Sequence, residues 1–183
     1  MSIEILFSIY LSFDFNVNPI CCTVIQDYDE VISIIECIKL SDSNIYALCE
    51  RIRSNYPEGM FVVTGDATGK SRSAMVKDGV NYYLIIKQEL NLIDSQFKVP
   101  TVNPRIEENR VLVNAVLNTR VVEISHKKAE GLIYDLRYVE VDENNKLVKD
   151  NRADKKQQAD ALDTFRYYLN TFHKRVITNK YSK

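Results

Sequence analysis

Apolar, β-branched and aromatic residues fill residues 4–40 in three runs, "EILFSIYLSFDFNV", "PICCTVIQDY" and "EVISIIECIKL", with the turn-formers Asn18, Pro19, Asp27 and Asp29 between them. That pattern predicts a three-strand meander. The period then changes. In "SDSNIYALCERIRSNY" Ile45, Leu48, Cys49 and Ile52 recur at helical spacing behind a Ser or Asp cap, and Pro57 and Gly59 close the run. A short apolar stretch from Met60 to Val63 reads as a buried strand that stops at Thr64 or Gly65. A second helix is expected near Ser73 to Met75, "NYYLIIKQEL" fits helix or strand, and "QFKVPTVN" reads as another short strand. "RIEENRVLVNAVLNT" predicts a helix with its stripe at Ile106, Val111, Val113 or Asn114, and Leu117. After it come "RVVEISH", the helix-or-strand segment "KKAEGLIYDLRYVEVD", the turn "ENNK" and a polar loop to Asp154. The period of "KKQQADALDTFRYYLNTFH" makes the last element a helix. Three strands, then alternating helix and strand, then a terminal helix predict an α/β fold: a mixed sheet covered by helices on both faces.

A chain of 183 residues suits one domain, residues 1–183, able to bury about 70% of the surface its unfolded form exposes. No repeat, low-complexity tract or long linker divides it. Cys21 and Cys22 are predicted to point to opposite faces of a strand, and the four cysteines contain no CxxC pair, so the thiols are read as reduced and the chain as intracellular. His126 and His173 match no zinc spacing. The opening "MSIEILFSIYLSF" is too short to span a bilayer, carries Glu4, and lacks a basic leader and a small-residue cleavage site, so it is read as a strand and not an address. The net charge of -1, from 24 basic and 25 acidic residues, does not announce a nucleic-acid binder. Basic residues gather at Lys70, Arg72 and Lys77, at Lys127 and Lys128, at Arg152, Lys155 and Lys156, and in the tail "HKRVITNKYSK". They permit nucleic acid without requiring it, since a solvated face explains each as well.

"VVTGDATGKSRSA" is close to a phosphate-cradling P-loop and fails its spacing. Gly65 and Gly69 enclose only Asp66, Ala67 and Thr68, whereas the loop needs four residues there, and the Asp66 carboxylate repels a polyanion. The stretch reads as strand, turn, acid, with Asp66 either a capping residue or part of a site. Along "LSFDFNVNP" the polar residues Ser12, Asp14, Asn16 and Asn18 share one strand face, which suits either an outward edge or a carboxylate projecting into a cleft. If that strand and the one ending at Asp66 are adjacent and parallel, the two acids meet near the carboxyl ends. Asp160 and Asp163 share one face of the last helix, amid Ala159, Ala161, Leu162, Phe165 and Tyr168. Crowded carboxylates in a partly dry site call for a divalent cation, and hard oxygen ligands select magnesium or manganese. Carboxylates from separated elements, without histidine, are the donors that two-metal phosphodiester hydrolysis uses.

Taken together, "LSFDFNVNP", "VVTGDATGKSRSA", "VPTVNPRIEENRVLVNAVL" and "DALDTFRYYL" resemble the nuclease domain of the large terminase subunit of tailed phages, a ribonuclease H-like fold, over nearly the whole chain. The resemblance implies an aspartate on metal from the first, second and fourth of these regions: Asp14, Asp66 and Asp163. Where that family frequently carries a histidine three positions before the last aspartate, this chain has Asp160, which leaves open a fourth metal ligand, a partner of a ligand, or a partial substitute for Asp163. It implies a metal-dependent endonuclease, with two Mg2+ or Mn2+ ions, that cuts concatemeric double-stranded viral DNA into genome lengths during packaging in the cytoplasm of an infected bacterium. It also implies an ATPase motor domain, a small terminase subunit and a portal as partners. With no intact P-loop, the chain is expected to be an excised domain or a separately encoded nuclease part. Lys70 and Arg72, with the amides after Gly69, are candidates for a DNA phosphate, as are Arg105, Lys127, Lys128, Lys155 and Lys156. Three rivals stay open: a nucleotide-binding or phosphotransfer protein, another ribonuclease H-like nuclease such as a junction resolvase, and a non-catalytic docking module.

Overall fold

The computed structural model describes residues 8–16, 18–71, 80–143, 147–148, 151, 154 and 157–178. Strands β1 (Ile9–Asp14), β2 (Ile20–Tyr28) and β3 (Val31–Leu40) pair antiparallel in sequence order, which is the expected meander. Helix α1 (Ile45–Asn55) leads to β4 (Phe61–Gly65), which lies parallel to β1 on its free side. β5 (Val121–Ile124) joins β3 in parallel, giving the order β4-β1-β2-β3-β5. β1 is therefore an interior strand. The edge explanation for its polar face falls, because Ser12 is 0% and Asp14 3% exposed.

Side-chain alternation divides the core into two layers. Leu11, Phe13, Cys22, Val24 and Val63 pack with Ile45, Leu48, Cys49 and Ile52 of α1 and with Tyr83, Ile85 and Ile86 of α2 (Tyr82–Glu89). Cys21, Ile25, Ile32 and Ile34 face the other way, onto α3 (Ile106–Thr119), α4 (Glu130–Tyr138) and α5 (Asp160–Phe172). The neighbours Cys21 and Cys22 thus do enter opposite cores. All four thiols are free, and Cys37 Sγ lies 3.8 Å from that of Cys21. Ala161, Phe165, Tyr168 and Leu169 put one stripe of α5 against the sheet, and each large side chain so buried is worth about 1.5–3 kcal/mol.

Polar contacts then fix the height of α5 over the strands. Ser12 Oγ donates to the Thr164 carbonyl at 2.6 Å, and the hydroxyls of Thr23 and Thr164 are 2.5 Å apart. Those of Thr64 and Thr171 are 2.8 Å apart. At the far end of the helix, Tyr168 Oη donates to Asp27 Oδ2 at 2.5 Å, and His173 Nε2 lies 2.7 Å from the same oxygen. Burial would raise the Asp27 carboxyl, but the hydrogen bonds from His173 and Tyr168 outweigh it and hold the group below its ordinary value.

Several elements differ from the sequence expectation. The cap of α1 is Asn44, whose side chain accepts from the Ala47 amide at 3.1 Å, and not a serine or aspartate. "NYYLIIKQEL" forms helix α2, and "KKAEGLIYDLRYVEVD" contributes helix α4. "QFKVPTVN" makes no strand: after a 3₁₀ turn at Asp94–Gln96 it contributes a single parallel bridge between Val63 and Phe97, and Pro100 has no N–H with which to extend it. α3 buries Asn109, Leu112, Val113 and Val116, while Ile106, Val111 and Leu117 are exposed, so the true stripe begins at a polar residue. α5 starts at Asp160, after Ala159 in a left-handed conformation (φ 53°), and a short helix α6 (Arg175–Thr178) follows it. The start of the first predicted strand, Val17, the helix expected near Ser73 to Met75, and most of the turn "ENNK" lie outside the described residues. Among the described residues no helix is long and apolar enough to cross a membrane.

Candidate functional site

The carboxyl ends of β1 and β4 lie side by side. Phe13 pairs with Gly65, and one step further the Asp66 amide donates to the Phe13 carbonyl at 2.9 Å. Asp14 and Asp66 therefore leave the sheet together, and the two-residue period sends both toward α5, as it sends Ser12 and Thr64. Gly65 permits this approach: its φ is +146°, and a Cβ there would lie 2.4 Å from the Phe13 carbonyl oxygen. On the other side of β1, Asp14 is paired with Cys21, and Cys21 with Lys39. Adjacent strands so present a row of carboxylate, carboxylate, thiol and ammonium.

Over this row sits the first turn of α5, with Asp160 0% and Asp163 5% exposed. Unpaired backbone N–H groups at a helix start favour carboxylates there. Asn16 ties the strand to the helix: its Nδ2 donates to Asp14 Oδ2 at 2.6 Å and to Asp160 Oδ1 at 2.8 Å. Lys39 Nζ lies 3.6 Å from Asp160 Oδ2. Asp163 pairs with Arg166 one turn along the helix. Burial pulls the Arg166 guanidinium down to about 10, against the pull of Tyr167, Asp14 and Asp135, so it stays charged at neutral pH. Asp135 of α4, 3% exposed, accepts from the Leu162 amide at 3.0 Å and caps the helix that Ala159 cannot cap. Burial raises the Asp135 carboxyl, although the Leu162 amide and Lys39 oppose the shift.

Asp66 serves as a cap as well. Its Oδ1 accepts from the Thr68 amide at 2.7 Å and from Asn103 Nδ2 at 2.7 Å, and Asn103 Oδ1 accepts from the Ala67 amide at 2.8 Å. The 3₁₀ turn Ala67–Lys70 follows from it. Tyr83 and Tyr167 are both pushed upward, first by burial and then by the charges of Asp14 and Asp66, which places the four groups in one neighbourhood. The donor set fits a hard divalent cation in chemistry, being carboxylate and amide oxygen. Its convergence is partial. Asp163 is turned to Arg166 and Asp66 to Asn103, and among the described residues no three His, Cys, Asp or Glu side chains gather closely enough to hold one ion.

Solved structures share this arrangement of elements. The large terminase of a thermophilic bacteriophage, in complex with ATP-γ-S, matches with a TM-score of 0.68 at 15% identity, over 93% of this chain and 41% of that one. The nuclease domain of the P22 large terminase matches with a TM-score of 0.59 at 18% identity, over 93% and 84%. The fold is that of a terminase nuclease domain. The nuclease domain of the SPP1 large terminase, solved with bound Mn, agrees with a TM-score of 0.56 at 12% identity, over 91% and 87%. The sheet with its flanking helices is thus ribonuclease H-like, as expected. The chain spans about two fifths of the length of the thermophilic phage's large terminase. No protein-family model matches it, and no curated protein does.

Among the described residues of this terminase nuclease fold the basic candidates do not form one patch. Lys70 follows β4, at one edge of the sheet, and its Nζ donates to the Val99 carbonyl at 2.9 Å. The Ser71 amide beside it is spent on the Thr68 carbonyl at 2.8 Å. Lys127 and Lys128 are exposed in the turn after β5, at the opposite edge, with the Lys128 carbonyl accepting from the Cys37 amide at 2.9 Å. Arg105 is exposed at the start of α3. Arg72, Lys77, Arg152, Lys155 and Lys156 lie outside the described residues. Four residues at the acids escaped the sequence reading: Lys39, Asn103, Asp135 and Arg166. Lys39 and Arg166 carried a signal, each being a cation inside an apolar run. Asn103 and Asp135 carried none, since their partners are 37 and 27 residues away.

Proposed function

We propose that this chain is a divalent-metal-dependent endodeoxyribonuclease that cuts concatemeric double-stranded viral DNA during genome packaging. The observation that carries the proposal is the exit of Asp14 and Asp66 from adjacent parallel strands beneath a helix turn bearing Asp160 and Asp163, on a fold shared with terminase nuclease domains. Asp14, Asp66 and Asp163 are the assigned ligands of two Mg2+ or Mn2+ ions, with Asp160 beside Asp14 as a further ligand or a partner. Such ions, when bound, supply water activation and stabilisation of the leaving 3′-oxygen.

The chain's own side chains do the positioning. Asn16 and Asn103 hold Asp14 and Asp66, and Asp135 holds the helix end that presents Asp163. Arg166 neutralises Asp163, a charge that a bound divalent cation would also offset. Lys70, Arg72, Arg105, Lys127 and Lys128 are assigned to DNA phosphates, which would make binding insensitive to sequence and steeply salt-dependent. An ATPase domain, a small terminase subunit and a portal are the proposed partners, and the cytoplasm of an infected bacterium the place of action.

Incubation of supercoiled plasmid with the purified chain tests the reading. Manganese- or magnesium-dependent nicking and linearisation, abolished by chelator and by Asp66→Asn, is the expected result; cutting that survives the chelator refutes it. The partial convergence of the acids favours one second reading, a docking module without chemistry. That reading requires Asp14→Ala and Asp163→Ala to leave the function of the packaging machine intact.

A further inference from the structure

Lys39 is the penultimate residue of β3 and lies two strands from Asp14, about 9–10 Å across the sheet. Its side chain rises toward α5, with Nζ 3.6 Å from Asp160 Oδ2 and 3.4 Å from Gln158 Oε1. The first turn of α4 runs beside its stem, where Gly131 leaves room: a Cβ there would lie 3.3 Å from Lys39 Cδ. Asp160, 0% exposed, turns its other oxygen to Asn16, whose one nitrogen also holds Asp14. One ion pair and two hydrogen bonds link Lys39 through Asp160 and Asn16 to Asp14. A buried carboxylate is held in place by its counter-charge, and without it the carboxylate shifts toward whatever water or donor it can reach, away from the neighbouring amide.

We propose that Lys39 is a positioning residue of the acid site. Its ammonium pairs with Asp160 Oδ2 and so sets where that carboxylate sits, its Oδ1 then meets the Asn16 amide, and Asn16 in turn fixes the Asp14 carboxylate. The inference rests on the metal-site reading above and resolves one point of it: Asp160 is a partner of a ligand and not itself a ligand.

The test compares the wild-type chain with Lys39→Met, Lys39→Arg and the double variant Lys39→Met/Asp160→Asn, in which no carboxylate needs neutralising. Hydrogen exchange of the Asn16 side-chain amide is followed by NMR without metal, and Mn2+ affinity by electron paramagnetic resonance. Lys39→Met is expected to speed Asn16 exchange about tenfold, the worth of one hydrogen bond to a charged group. It is expected to weaken Mn2+ binding by about tenfold, as loss of a ligand's support does. Arginine and the double variant restore both. Removal of a positive charge would by itself tighten Mn2+ binding, so the sign separates positioning from simple electrostatics. Unchanged Asn16 exchange, or tighter Mn2+ binding in Lys39→Met, overturns the proposal. If Lys39→Met does not fold, faster Asn16 exchange in the double variant than in wild type overturns it equally. A wild-type chain that binds no Mn2+ sinks the metal reading, while the amide exchange still decides whether the relay exists.

Discussion

Asp135 offers a sharp perturbation, because a single side chain on α4 caps the helix that carries two of the four acids. Asp135→Ala leaves the Leu162 amide buried without its acceptor. A stranded buried donor costs about 1–3 kcal/mol, and a lost helix cap about 0.5–2. These describe the same bond and are not summed, so the expected loss is about 2 kcal/mol. For a chain of this size that lowers Tm by about 4–8 °C. Asp135→Asn keeps an oxygen at the amide and should lose about half as much or less. The pH dependence follows from the raised carboxyl. A group whose folded value lies above its ordinary 3.8 contributes fully below that pH and loses its contribution as pH rises through the raised value. Wild type should therefore fall relative to Asp135→Asn as pH rises from the ordinary value through the raised one. Urea unfolding followed by circular dichroism at a series of pH values measures both effects. The reasoning fails if Asp135→Ala is as stable as wild type, or if wild type gains on Asp135→Asn with rising pH.

Asp27, held below its ordinary 3.8 by His173 and Tyr168, contributes stability above that pH and loses it as pH falls through the lowered value. Asp27→Asn should flatten the acid limb of a stability profile, and an unaltered limb would clear the carboxylate of that role. Gly65→Ala forces a Cβ to within 2.4 Å of the Phe13 carbonyl oxygen at a positive φ. A loss of about 3 kcal/mol or more is expected, read as a lower urea midpoint; a variant as stable as wild type would show that the β1–β4 ladder can yield there.

Local pattern carried much of the architecture. The meander, the buried strand before Asp66, and the terminal helix announce themselves through runs of side chains whose period matches the element they form. "QFKVPTVN" misled because β-forming residues flank Pro100, which cannot donate to a ladder. The stripe of α3 was misplaced because Asn109 is buried, and a search for apolar residues passes over it. At the site, Asp14, Asp66, Asp160 and Asp163 were legible as acids set against apolar neighbours. Their supports were not, because an amide that steadies a carboxylate from a distant loop, as Asn103 does for Asp66, leaves no periodic trace. The link through Asn16 lay between the two: its strand face was readable, its reach to Asp160 was not.

The bond from Ser12 to Thr164 spans 152 positions of the chain. Closing so long a loop is entropically slow compared with zipping up the meander, so the sheet can form before the last helix arrives. In that interval Asp14 and Asp66 stand in water without the turn of α5 above them, and whatever chemistry the acids perform has to wait. Only docking of the final helix brings Asp160 and Asp163 over them.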